Sequence, residues 1–293
     1  MRESRVRARE RTMRGTIADA LRRASPGGTG TEARALLRHV LGCDDGYLIA
    51  HGDQPLTLHQ QEIFESLAVR RRQGEPIAYL TGTREFFGLE FRVSPAVLIP
   101  RPETELLVER VLETVPEQSE ARILDLGTGS GCVAIAIARH RPRALVFAID
   151  RAEEALVIAR ENARRHDARN VRVIHGDWFT PVQQDRFDII AANPPYVAAL
   201  DPHLATGDVR FEPRDALVAG PAGTECIAAI AAMAPRHLAP GGRLFVEHGY
   251  DQGAAVRDRL RAAGFTGAVT TWRDLAGIER VSEAQVDLPR GSR

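Results

Sequence analysis

Four consecutive residues, Asn193-Pro194-Pro195-Tyr196, carry the most distinctive chemistry in this chain of 293 residues. Two adjacent prolines fix φ and donate no N–H, so the turn is stiff and the Pro194 carbonyl can be held pointing into a cleft. The Asn193 side-chain oxygen supplies a second acceptor, and Tyr196 can pack against the π face of a flat group. Two acceptors side by side match the two hydrogens of a planar –NH₂, which makes an amide or exocyclic amino nitrogen the expected target. The lone pair of such a nitrogen is delocalised. Acceptors that hold both hydrogens favour the rehybridised, cationic nitrogen that forms as it attacks an electrophile, and this needs positioning more than a strong base. Asn193 and Pro194 are therefore the catalytic candidates, with Pro195 and Tyr196 completing the substrate-binding turn.

A second group suits a nucleoside. Gly127-Thr128-Gly129-Ser130-Gly131 follows the apolar run RILDL and precedes the apolar helix CVAIAIA. Glycines there let a ligand approach the N–H groups of a helix N-terminus. The pattern departs from the dinucleotide fingerprint, because the third glycine falls one position early and Cys132 takes its place. Asp150 ends the next strand, 19 residues after Gly131, where an acid can bind both ribose hydroxyls. No basic residue adjoins the loop to meet a pyrophosphate, and Asp125 stands two positions before it. A cationic adenosine ligand, S-adenosylmethionine, fits better than a dinucleotide. Asp177 can accept from the adenine amino group and Trp178 can stack on its ring. The plainer alternatives are a tight turn, a helix cap at Asp150 and a core tryptophan.

Composition narrows the field. Basic and acidic residues number 39 each, and every basic one is arginine. With no lysine, P-loop, Schiff-base, pyridoxal-phosphate and kinase chemistry are excluded. Neutral net charge argues against a protein that wraps nucleic acid. Cys43, Cys132 and Cys226 are widely spaced, which indicates neither a zinc site nor a disulfide framework, and no metal is expected. No signal peptide or membrane-length apolar run is present, so a cytoplasmic protein without a membrane partner is expected.

The elements that must position these residues are readable as periodicities. Residues 14–82 show helical spacing at Ile17, Leu21, Leu36, Leu37, Val40 and Leu41, with a capping box at Thr57 and Gln60. In REFFGLEFRVS the period changes: Phe87, Leu89, Phe91 and Val93 alternate with Gly88, Glu90 and Arg92, as a half-buried strand or hairpin would. From residue 99 on, apolar runs RILDL, ALVFAI, VRVI, FDIIAA and GRLFVEH alternate with helical stretches, a βαβ succession that implies a parallel, doubly wound sheet. His140, His166, His203 and His248 form no group; His248 reads as structural and Glu212 as ordering a loop over the site.

DLGTGSG, GDWF, NPPYV, DPHLATGDVRFEP, LFVEHG, GEPIAYLTGTREFFGLEF and LIPRPETE together resemble the HemK/PrmC family of protein-(glutamine-N5) methyltransferases over nearly the whole chain. The resemblance implies an α/β fold: a Rossmann-like class I S-adenosylmethionine-dependent methyltransferase domain with a small N-terminal all-helical domain joined by a β-hairpin linker. The expected divisions are a basic extension (1–13), a helical release-factor-binding domain (14–82), the linker (83–98), the catalytic domain (99–287) and a tail (288–293). The implied substrate is the glutamine of the Gly-Gly-Gln motif of class I peptide chain release factors. The implied cofactor contacts are Gly127 to Gly131, Asp150, Trp178 and Asn193, with the substrate amide held by Asn193 and Pro194. Arg101, Glu103, Thr104 and Glu105 either line the cleft mouth or start a helix. A monomer without stable nucleic acid is expected. The alternatives are an adenine-N6 or cytosine-N4 methyltransferase, which shares the turn, and a scaffold that does not catalyse.

Overall fold

The computed structural model describes residues 15–24 and 30–287; the arginine-rich arm and the C-terminal tail lie outside the described residues. The chain divides between Gly82 and Thr83 into two compact units.

In the first unit, helices α1 (Ile17–Ala24), α2 (Thr31–Leu41), α3 (Asp45–Ala50), α4 (Leu58–Arg72) and α5 (Ile77–Thr81) enclose a core of Ile17, Leu36, Leu37, Leu48, Phe64 and Leu80. The capping box forms as its residue types require: the Thr57 hydroxyl accepts from Gln60 N–H at 3.2 Å and the Gln60 side chain accepts from Thr57 N–H at 2.9 Å.

The second unit opens with the hairpin β1 (Thr83–Phe86) and β2 (Leu89–Arg92). Its two-residue turn places both Phe87 and Gly88 at positive φ, 51° and 72°. Phe87 is thus a turn residue and not part of the buried alternation. Phe86 takes its place, meeting Phe91 edge-on with ring centroids 6.1 Å apart. A 3₁₀ turn (Pro102–Thr104) then leads into α6 (Glu105–Thr114), and Glu105 accepts from Phe87 N–H at 2.8 Å.

Beyond α6 come β3 (Arg122–Leu126), α7 (Cys132–His140), β4 (Leu145–Asp150), α8 (Glu153–Arg165), β5 (Val171–His175) and β6 (Phe187–Ala192). The short pair β7 (Val197–Ala198) and β8 (Val218–Gly220) precedes α9 (Glu225–His237), β9 (Leu238–Glu247), α10 (Gly253–Ala262), β10 (Val269–Arg273) and β11 (Glu279–Gln285). Among the described residues the main sheet has seven strands, ordered β10-β11-β9-β6-β3-β4-β5. The run from β9 to β5 is parallel, as the βαβ succession predicts; β11 and β10 extend it antiparallel, giving a mixed sheet. Both faces are covered. Ile123 and Val146 point into one core with α6 and α7, and the alternating Leu124 and Phe147 point into another with α9 and α10.

One buried side chain ties three of these parts together. Asn162 on α8 is 0 % exposed; it accepts from Arg92 N–H at 2.7 Å and donates to the carbonyls of Arg92 at 3.0 Å and Ser130 at 2.8 Å. The hairpin and the glycine loop are thereby fastened to the same helix. Asn162→Ala leaves these backbone groups without partners and is expected to cost about 2–4 kcal/mol of stability. Urea unfolding measures this, and a loss under about 0.5 kcal/mol would contradict the clamp.

Candidate active site

The chain runs outward from β3 to β4 and β5, then returns to lay β6 on the other side of β3. The strand order reverses there, and ligands of open α/β sheets bind in the crevice beyond the carboxyl ends at such a point. Leu126 of β3 pairs with Ala192 of β6, so the glycine loop and the Asn-Pro-Pro-Tyr turn start from residues at one level of the sheet. Leu126 also pairs with Ile149, which brings Asp150 to the same edge, and Asp150 pairs with His175, two residues before Asp177.

A cavity of about 280 Å³ lies at this edge. Gly127, Thr128, Gly129 and Ser130 line it on one side, Asp150, Asp177 and Trp178 on another, and Asn193 and Pro195 on a third. Gly131, Pro194 and Tyr196 are not among its lining residues. Gly131 instead serves packing. Its φ is +82°, and a Cβ there would come within 3.0 Å of the Ile135 side chain and 3.3 Å of Ala159, so the glycine lets α7 approach α8. Gly129, at φ +55°, has nothing within 4 Å of the corresponding position and leaves open space. Gly127, Trp178 and Asn193 converge, since a Cβ on Gly127 would stand 3.6 Å from the Trp178 ring and 3.9 Å from the Asn193 carbonyl. Trp178 itself has φ +44°, an uncommon conformation for a bulky residue, of the kind that concentrates at functional sites.

Among the charged groups that line it, carboxyls outnumber guanidinium groups. Asp125, Asp150, Asp177 and Asp215 face two guanidinium groups, Arg101 and Arg151. Both arginines are engaged, Arg151 with Asp215 at 3.3 Å and Arg101 in an ion pair with buried Glu212. Glu212 also accepts from Ile99 N–H at 3.2 Å, so it fastens the segment before α6 to the loop after β7 and orders that loop. Burial raises its pKa, while Arg101 opposes the shift. Asp150 accepts from Gly129 N–H at 2.8 Å and from Ala152 N–H at 2.9 Å, which presents its carboxylate at the loop mouth with lone pairs to spare. Asp125 is 1 % exposed and accepts from the Thr128 hydroxyl at 2.6 Å; burial pushes its pKa up to about 7 against that bond. The cavity therefore suits a cation, and it contains no lysine or free arginine cradle for phosphate.

Asn193 donates through Nδ2 to the Thr104 hydroxyl at 3.1 Å, which turns its Oδ1 away from Thr104. Pro194 is buried behind it. The Tyr196 hydroxyl reaches Glu247 at 3.3 Å and its ring packs on the core; burial pushes its pKa up. Arg101 and Thr104 line the cavity mouth, while Glu103 and Glu105 belong to the helix start, so both readings of that segment hold for different residues. None of the four named histidines lines the cavity. His248 is fully buried between the Gly249 carbonyl and the Ser282 hydroxyl, each 3.0 Å away, and burial lowers its pKa, which keeps it neutral. Sequence reasoning missed Glu247, a carboxyl closing the apolar run LFVE; an acid in such a run is the signal that could have found it.

A doubly covered mixed sheet with a glycine loop and a crevice at its switch point is a Rossmann-like architecture, and the family matches make it a methyltransferase. Residues 102–211 match the methyltransferase small domain, and residues 14–82 match the PrmC N-terminal domain. The fold is shared with a methyltransferase from Pyrococcus furiosus at a TM-score of 0.53 and 19% identity, over 76% of this chain and 100% of that one. The chain is 49% identical over 251 residues to the release factor glutamine methyltransferase of Xylella fastidiosa (86% of this chain, 91% of that protein) and 46% identical over 251 residues to that of Escherichia coli (86% and 90%). The chain belongs to the release factor glutamine methyltransferase family.

The buried carboxyl of Asp125 makes stability depend on pH. It stays protonated in the fold up to about pH 7 but ionises near 3.8 when unfolded, so its contribution is complete below that value and is lost as pH rises through 7. Asp125→Asn removes this loss, and the variant is expected to gain stability relative to the native protein between about pH 4 and about pH 8. Urea midpoints across that range measure it; a constant difference would refute the assignment.

Proposed function

We propose that this protein methylates N5 of the glutamine in the Gly-Gly-Gln motif of class I peptide chain release factors, in the cytoplasm, with S-adenosylmethionine as methyl donor. The observation that carries the reading is the register of β3 with β6, which starts the nucleoside-binding loop and the amide-accepting turn from paired residues. Family membership supports the substrate class, and the carboxylate-rich cavity supports a cationic donor.

When bound, S-adenosylmethionine supplies an electrophilic methyl on a positively charged sulfur. Gly127 to Ser130 would hold it through backbone and open space, Asp150 would accept from its ribose hydroxyls, Asp177 from its adenine amino group, and Trp178 would cover its ring. The substrate amide is to be held by Asn193 Oδ1 and the Pro194 carbonyl, each accepting one N–H hydrogen, with Pro195 beside them. These acceptors gain as the nitrogen turns pyramidal and positive, so they favour the transition state over the bound ground state. Tyr196 stiffens the turn through its hydroxyl bond to Glu247.

Peptide mass spectrometry of a release factor incubated with the protein and S-adenosylmethionine tests the reading. One methyl on the Gly-Gly-Gln glutamine is expected; its absence, with cofactor binding intact, would move the assignment to an amino-methylated base or to a scaffold. Asn193→Ala is expected to lose about 100-fold or more in kcat, as for loss of a transition-state hydrogen-bond partner. Asp150→Ala is expected to act on cofactor affinity, measured by calorimetry, with a smaller effect on kcat at saturation.

A further inference from the structure

The Asn193 amide serves as an acceptor in only one of its two orientations, since a flip exchanges its C=O for its NH₂ and presents a donor to the substrate's own donors. Its bond from Nδ2 to the Thr104 hydroxyl selects the useful orientation. That bond lasts only while the Thr104 oxygen accepts, so the hydroxyl proton must have another acceptor. The group that can take it is the Glu247 carboxyl at the end of β9: Thr104 lowers the pKa of that carboxyl, and Glu247 Oε2 is open, although the two do not form a hydrogen bond in the structure. Glu247 is 1 % exposed, receives the Tyr196 hydroxyl on Oε1, and among the described residues has no hydrogen-bond partner on Oε2. A buried carboxyl with an open oxygen is costly to keep, and the chemistry above does not use it.

We propose that Glu247 is a positioning residue which, through Thr104, sets the way the Asn193 amide points and hence whether the turn accepts or donates at the reacting nitrogen. The inference rests on the role of Asn193 given under Proposed function. An ionised Glu247 can only accept: Thr104 donates to it, Thr104 accepts from Asn193, and Oδ1 faces the cleft. A protonated Glu247 can donate to Thr104, whose proton then turns to Asn193 and draws Oδ1 out of the cleft. The groups facing the carboxyl are Glu103 and Thr104 ahead of α6, Tyr196 after β6, Arg280 on β11, which is paired with Asp274, and Cys132 at the start of α7, whose buried thiol is pushed up to about 12 and stays protonated; His248, next along the chain, is neutral. Burial and Glu103 raise its pKa against Thr104, Arg280 and Tyr196, leaving it at about 7. The accepting form therefore lies on the alkaline side of neutrality.

The test compares the native protein with Glu247→Gln, Thr104→Val and Thr104→Ser from about pH 5.5 to about pH 9. It reads methyl transfer to a release factor, S-adenosylmethionine affinity by calorimetry, and the Asn193 side-chain NH₂ resonance by ¹⁵N NMR without substrate. Native kcat is expected to fall below about pH 7, with the resonance titrating in step. Glu247→Gln is expected to lower kcat about 10- to 100-fold, leave cofactor affinity unchanged, and abolish both the acid limb and the titration. Thr104→Val is expected to lower kcat similarly, and Thr104→Ser to restore most of that loss. Native kcat and an unaltered acid limb in Glu247→Gln would overturn the proposal, as would a native Asn193 resonance indifferent to pH. If Glu247→Gln does not fold, Thr104→Val and the native titration decide. If the native protein transfers no methyl, the functional reading fails on its own, and the resonance alone decides the role of Glu247.

Discussion

The parallel pairing of β3 with β6, strands separated in sequence by two βα units, is the constraint on which the catalytic unit depends. The pairing makes the switch point, and its register sets the glycine loop and the Asn-Pro-Pro-Tyr turn at one level. Because side chains alternate along a strand, a slip of one residue would exchange the two cores and move every loop residue off the crevice. The cores are what hold the register: Ile123 and Leu124 are both fully buried, on opposite faces, and neither tolerates the other's environment.

Around that frame the site gathers charge that the fold would be more stable without. Asp125 and Glu247 are buried carboxyls raised to about 7, and Glu212 is raised as well. Desolvation dominates each of them. The loop residue Trp178 adds a positive φ. Such concentrations of cost are what a preorganised binding site requires, and α7, apolar and buried from Cys132 to Ala138, together with the two covered sheet faces, offsets them.

What could be read in the chain beforehand follows from where each signal is local. The apolar runs of β3, β4 and β6 announce strands because both their faces are buried. β11 does not, since its buried positions include Ser282 and Glu283, satisfied by His248, Thr271, Arg243 and Trp272 rather than by apolar neighbours. The alternation wrongly includes Phe87 because a phenylalanine at positive φ contradicts its own preference; the anchor to Glu105 that supports the turn lies 18 residues away. In the site, the glycine loop, Asp150 and the Asn-Pro-Pro-Tyr turn carry motifs, whereas Thr104, Glu212 and Glu247 act through partners as many as 113 residues off, which spacing cannot reveal.

Asn162 also bears on the order in which the molecule can be completed. The backbone groups it satisfies belong to Arg92, 70 residues earlier, and to Ser130, 32 residues earlier. A chain made from its N-terminus exposes the hairpin and the glycine loop well before the residue that fastens them. Until α8 has been synthesised, both segments can form only provisionally, their polar groups turned to water. The ligand loop is thus fastened only after a further 32 residues have been made, so a nascent chain cut short before Asn162 presents the motif without the clamp that holds it.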